Sequence, residues 1–277
     1  MPTRIVFLGT GGGRHTTMYQ TRSTGGFLLM NGNRIVHVDP GPGALTQMQK
    51  IHYDLTRTGS VIVSHCHPDH YADAESAIEG MSFGGMKKRG NLYGSPTVLE
   101  GRGNLGPCIS AYHRNIISSC TVLNPGDVLE IEGMKTEICR SIHSDRTNVG
   151  FKFHTPDGIV SYVSDTDYAP EIAEQYVGSR LLILPVTAPN GSRIRGHLCT
   201  ETAIEFIKTV KPETAVFVHL GILMIRLGPE KQAEKAEKAT GIRTLAMHDR
   251  MVADIGSEIV FSDTETYDGE WIPDSSP

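Results

Sequence analysis

The first half of the chain carries its apolar residues in short blocks of four or five, bounded by glycine, asparagine and proline. Blocks of that length predict strands. Residues 4–8 form one such block, ending at Gly9. Residues 26–30 and 34–38 flank Asn31-Gly32, which predicts a hairpin. The run Asp39-Pro-Gly-Pro-Gly43 then breaks the sheet, and a helix is expected from there to about Arg57. Residues 60–64 (Ser-Val-Ile-Val-Ser) are β-branched and apolar at successive positions, as in a strand covered on both faces. Residues 72–81 predict a helix. Residues 84–106, rich in glycine and bases, read as loops.

Further on, residues 128–131 and 135–140 pair around Glu132-Gly133, and 150–154 and 159–163 pair around Pro156-Asp157-Gly158. The last third alternates strand and helix. Residues 181–184 and 215–218 are strands. Residues 201–210 are a helix with Ala203, Phe206, Ile207 and Val210 on one face. Residues 229–240 are a charged helix, with Pro229 at its start and Gly241 just past its end. Strands at 244–247 and 259–261 close the pattern. Hairpin meanders joined to β-α-β units imply mixed sheets with helices outside, an α/β protein.

Composition narrows the function classes. A chain of 277 residues suits one large α/β domain, and 39% hydrophobic with 21% charged residues excludes disorder as the main state. No apolar run approaches the roughly 20 residues that span a bilayer, so no membrane partner is expected. The opening nonapeptide reads as a strand and not as a leader. Five cysteines, odd in number and scattered, fit a reducing cytoplasm and offer no zinc ribbon. The formal charge of −5 argues against coating nucleic acid by bulk positive charge. Yet five acids and no base fall within residues 262–277, which are expected to be an acidic tail. Residues 1–261, expected to be a single domain, then balance 26 acids against 26 bases. The global charge is therefore silent on the sign of a substrate.

The chemistry lies in histidine. Ser64-His65-Cys66-His67-Pro68-Asp69-His70 follows directly on a buried strand. In an extended segment residues two apart point the same way, so His65 and His67 can grip one metal ion, while Cys66 turns away. Asp69 and His70 follow the Pro68 turn and can face a second ion. Imidazole and carboxylate donors suit zinc, and also manganese or iron. His143, Asp165 and His219 each come just after an apolar strand, where they could converge with the first motif, Asp165 bridging both ions. Asp39, in its Pro-Gly turn, is a candidate to orient a ligand histidine. Gly9-Thr-Gly-Gly-Gly13 lacks the Gly-Lys-Ser/Thr of a nucleotide loop and reads as a turn beside the site.

His65-x-His67-x-Asp69-His70 followed by His143, Asp165 and His219 resembles the metallo-β-lactamase superfamily, over about residues 4–261. The resemblance implies a four-layer αββα sandwich with metals at one edge of the sheets. Phe7-Leu-Gly-Thr-Gly11 and Gly196-His197-Leu-Cys-Thr200 are similar to the ribonuclease Z-like phosphodiesterase branch. That branch implies a catalytic or phosphate-contacting role for His197, and Arg193 and Arg195 just before it are candidates for phosphate contact. The long arm of tRNA-processing members has no counterpart between His143 and Asp165, where 21 residues intervene.

The resulting expectation is a hydrolase with two divalent ions. A shared hydroxide, oriented by Asp69, would attack a phosphate ester, either an RNA end or a small or cyclic phosphodiester. The alternative is a lactone, thioester or β-lactam on the same metals, and a minor one is a non-catalytic nucleic-acid-binding member. A homo-oligomer is compatible with all of these.

Overall fold

The computed structural model describes residues 2–264. β1 (Thr3–Phe7) leads through a glycine loop into α1 (Arg14–Tyr19). β2 (Phe27–Asn31) and β3 (Arg34–Val38) form the expected hairpin, with Gly32 at φ +62° as the first central residue of the turn. Next come α2 (Ala44–Lys50), β4 (Ser60–Val63), α3 (Pro68–Tyr71) and α4 (Ala74–Met81). β5 (Asn91–Gly94), α5 (Pro96–Leu99), α6 (Ala111–Asn115) and β6 (Ser119–Val122) complete the first half.

The second half opens with the meander β7 (Val128–Ile131), β8 (Met134–Arg140), β9 (Val149–Thr155) and β10 (Gly158–Tyr162). α7 (Pro170–Glu174), β11 (Ser179–Ala188), β12 (Leu198–Cys199), α8 (Thr200–Val210) and β13 (Thr214–Val218) follow. α9 (Ile222–Leu227), α10 (Pro229–Thr240) and β14 (Arg243–Ala246) end this half, and β15 (Met251–Ile255) and β16 (Ile259–Asp263) return to the first sheet.

The strands make two mixed sheets. One runs β16-β15-β1-β2-β3-β4-β5-β6; the other runs β14-β13-β11-β10-β9-β8-β7, with β12 beside β11. Ile5, Phe27, Leu29, Val36, Phe151, Phe153 and Leu181 fill the space between them. Outside the second sheet, Ala203, Phe206, Ile207 and Val210 of α8 pack on Leu182, Leu184 and Phe217, as their spacing predicts. Burying one such Phe or Leu contributes about 1.5–3 kcal/mol. Outside the first sheet, α4 buries Ala74, Ala77, Ile78 and Met81 against β4 and β5, and Met48 of α2 covers the β1–β3 face. The architecture is thus helix, sheet, sheet, helix.

Several boundaries differ from expectation. The helix expected to reach Arg57 ends at Lys50; His52 adopts φ +49°, and a 3₁₀ turn at Leu55–Arg57 is capped by the Asp54 carboxylate on the Thr56 N–H. Residues 84–106, expected as loops, contain β5 and α5, because parallel pairing with β4 and β6 supplies ladder bonds that four residues cannot announce. Ser262 and Asp263, assigned to the acidic tail, lie in β16; the remainder of that stretch, 265–277, falls outside the described residues. Among the described residues no helix is long and apolar enough to cross a membrane, and all five cysteines are free.

His37 is fully buried in β3 with Nε2 3.0 Å from Gly25 O. Burial lowers its pKa to about 4. The unfolded chain, with an ordinary value near 6.5, binds the extra proton first as pH falls, so the native state loses stability between pH 6.5 and 4. Linkage gives a loss of about 2 kcal/mol between pH 7 and pH 5. In urea titrations His37→Gln should lack this component; the same pH slope in variant and parent would refute it.

Candidate metal centre

The strands that approach the site do so with their C-terminal ends, and the segments beyond those ends deliver its side chains. β4 ends at Val63, and Ser64 and His65 follow it directly, where the chain bends. Pro68 then starts α3, which turns Asp69 and His70 back toward the same edge. β8 delivers His143, β10 delivers Asp165 and β13 delivers His219. Ser164, just before Asp165, has φ +58° and His219 has φ +54°, backbone conformations that side chains with a Cβ adopt at a cost. Gly12 makes room for the result: a Cβ there would stand 2.2 Å from the His219 ring.

The seven residues expected as ligands come together in two adjoining groups, His65, His67, His143 and Asp165 in one and Asp69, His70 and His219 in the other. Asp165 Oδ2 lies between them. Its distances are 3.9 Å to His65 Nε2, 3.9 Å to His143 Nε2, 3.5 Å to His70 Nε2 and 3.2 Å to His219 Nε2. His197 joins the cluster with Nε2 3.2 Å from the same oxygen.

The outer ring nitrogens are held, which fixes the inward ones. His70 Nδ1 is 2.9 Å from Asp39 Oδ2, and His143 Nδ1–H donates to Gly196 O at 2.8 Å. His219 Nδ1 pairs with Thr187 Oγ1 at 2.8 Å, and His197 Nδ1–H donates to Arg195 O at 3.2 Å. Ser64 Oγ donates its one hydrogen to Asp39 Oδ2, so it accepts from His65 Nδ1 at 3.0 Å. His67 is turned the other way: Nδ1 faces His143 Nε2 at 3.1 Å and Nε2 meets Ser144 Oγ at 3.2 Å.

Asp39, a candidate from its turn, anchors this shell. Its carboxylate also accepts from Ser64 N–H (2.7 Å) and Tyr162 O–H (2.9 Å). Tyr162 and Thr187 carried no sequence signal, because neither lies beside an expected ligand along the chain. Ser64, Ser144 and Asp167 lie within two residues of expected ligands and could have been suspected; Asp167 accepts from Gly196 N–H at 2.8 Å and so steadies the carbonyl that orients His143. Arg193 and Arg195 are exposed in the loop before His197, and neither guanidinium makes a hydrogen bond or ion pair among the described residues. Of the basic stretch, Arg89 donates to the Thr56 and Thr58 carbonyls and Lys87 lies 4.2 Å from the Phe83 ring centroid, so those two serve the fold.

The electrostatics are those of a site built around positive charge. Burial favours neutral Asp165, yet His219, His70 and His197 hold its carboxyl well below the usual range. Burial opposes charge on His70, but Asp165, Asp39 and Asp69 together raise its pKa well above 6.5. Burial, with His70 nearby, drives His65 well below 6.5, and burial lowers His143 to about 4, which leaves both imidazoles neutral donors. His65 Nε2, His70 Nε2 and Asp165 Oδ1 are buried with no hydrogen-bond partner. Most buried polar atoms in folded proteins are paired, and three unpaired ones converging on a single point fit divalent metal ions.

Comparison with known proteins agrees with this geometry. A family described as "Beta-lactamase superfamily domain" matches residues 34–220. An uncharacterized protein of Methanocaldococcus jannaschii is 38% identical over 88% of this chain and 92% of its own length. A ribonuclease Z of Methanosarcina acetivorans is 30% identical over 51% of this chain and 45% of its own. Among solved structures, the metallo-beta-lactamase fold protein YhfI of Bacillus subtilis aligns with a TM-score of 0.76 and 19% identity, covering 91% of this chain and 99% of that one.

Proposed function

The chain belongs to the β-lactamase superfamily, and from that membership we propose that it is a metal-dependent phosphodiesterase of the ribonuclease Z-like branch, acting on an RNA end or a small phosphodiester. The observation that carries this reading is Asp165 Oδ2, ringed by five imidazole Nε2 atoms at 3.2–3.9 Å, four from the two donor groups and the fifth from His197. His65, His67, His143 and Asp165 would hold one divalent ion, and Asp69, His70, His219 and the shared Asp165 a second. The donor set suits zinc, with manganese or iron compatible. When bound, such ions supply Lewis acidity and bring the pKa of water down toward about 7.

The protein's own groups supply position and protons. Asp69 Oδ2 is pinned by Gly13 N–H at 2.8 Å and His219 Nε2 at 3.3 Å, so its carboxylate is aimed to accept a hydrogen bond from the attacking water. Burial opposes charge on His197, yet Asp165 keeps its pKa above 6.5, so its Nε2 can donate to the leaving oxygen. Arg193 and Arg195, exposed beside His197, would meet the anionic substrate from solvent.

Metal-loaded protein should cleave bis(p-nitrophenyl) phosphate, lose that activity to a chelator and recover it with zinc. Cleavage of lactones or thioesters with no phosphodiester turnover would replace this reading with acyl hydrolysis.

A further inference from the structure

Beside the metal centre lies a second concavity of about 570 Å³, walled by Tyr71, Thr97, Arg102, Leu105, Ser144 and Arg146 and opening onto His67. Its two arginines come from different loops, and each loop is braced. Arg102 and Leu105 face each other across a four-residue turn, with Arg102 N–H donating to Leu105 O at 2.8 Å and Leu105 N–H returning to Arg102 O at 3.0 Å. Gly101 (φ +77°) and Gly103 (φ +60°) permit that turn, and a Cβ on Gly101 would stand 2.6 Å from Leu105 O. The turn therefore displays a cation beside an apolar side chain.

Arg146 lies between Asp145 and Thr147 in the loop that delivers His143. Asp145 clamps that loop: its carboxylate accepts from Cys66 N–H, Thr97 O–H, Thr147 N–H and Thr147 O–H. Asp145 also lines the cleft, but these bonds occupy its carboxylate and it makes no ion pair with either arginine. Arg102 and Arg146 are both exposed, and neither guanidinium makes a hydrogen bond or ion pair among the described residues. Two unpaired guanidinium groups on braced loops, with apolar surface at hand, are suited to a phosphate and the organic unit attached to it.

We propose that this cleft binds a second phosphate of the substrate, one beyond the phosphodiester at the metal centre, with the attached nucleoside lying over Leu105 and Tyr71. The assignment rests on the phosphodiesterase reading and deepens it, because it selects esters that carry more than one phosphate over simple diesters. That phosphate could be the terminal group of a small nucleotide or the next link of an RNA strand.

Calorimetric binding to the metal-loaded protein tests it with 5′-AMP, adenosine 3′,5′-bisphosphate and the unphosphorylated trinucleotide ApApA. The bisphosphate should bind at least ~10-fold more tightly than AMP, and Arg102→Ala/Arg146→Ala should abolish the difference, with each single variant removing part of it. A preference for the bisphosphate assigns the cleft to a terminal phosphate, and a preference confined to ApApA assigns it to a strand. Equal binding of AMP, bisphosphate and trinucleotide, or a preference that survives in the double variant, overturns the proposal. Metal content of the same samples reports whether the centre is intact. Failure of AMP itself to bind tells against the phosphoester reading of the centre, and so is distinct from failure of the cleft.

Discussion

Asp165→Ala is expected to lower the bound metal from about two ions per chain and to cut kcat/KM on phosphodiesters by a factor on the order of 10³ or more. The reasoning is geometric. One oxygen of this carboxylate lies 3.2–3.9 Å from five imidazole nitrogens, so its removal strips an anionic donor from both groups at once. Metal catalysis contributes several kcal/mol of transition-state stabilisation, and each 1.36 kcal/mol is tenfold in rate. His70, whose raised pKa depends first on Asp165 among its acidic neighbours, would also lose its main counter-charge. Asp165→Asn should behave similarly, because it keeps the shape and loses the charge. Elemental analysis beside initial rates is the measurement, and full metal retention in both variants would sink the shared-carboxylate arrangement. His67→Ala, which removes a donor from one group alone, should lower the metal number less.

His197→Ala should leave metal content unchanged and still reduce turnover by about 10²–10³-fold. Its Nε2 is 3.2 Å from Asp165 Oδ2, its ring is partly exposed, and it stacks on His219 at 5.7 Å between centroids. A proton donor at the mouth of the site serves leaving groups that cannot depart as anions. The loss should therefore be large for an alkoxide leaving group, as in an oligonucleotide, and small for p-nitrophenolate. Equal losses on both substrates would make His197 a positioning residue, and a fall in metal content would make it a ligand.

These expectations draw unequally on sequence. His65, His67, Asp69 and His70 were legible together because one strand end and one proline turn place all four, so the spacing itself encodes the geometry. His143, Asp165 and His219 were legible one step less directly, each as a polar residue immediately after an apolar strand. Asp39 was readable from its Pro-Gly turn, but its grip on Ser64, His70 and Tyr162 was not. The hairpin β2–β3 and helices α8 and α10 were readable because local pattern and local turn chemistry agree there. β5 and β6, four residues each, were not, since their hydrogen bonds come from parallel neighbours far along the chain.

The amino-acid sequence alone determined the α/β class, the donor inventory and the kind of metal chemistry, because these depend on residue type and on contacts within a few positions. The tertiary structure decided which groups meet. It set Asp165 between two clusters, locked each imidazole through a partner such as Thr187 or Gly196, and withdrew Arg89 from the basic stretch. It also brought Arg102 and Arg146 to one cleft beside His67. Those relations are set by sheet order and loop packing across tens of residues, where side chains are neighbours in space while nothing in their local pattern records it.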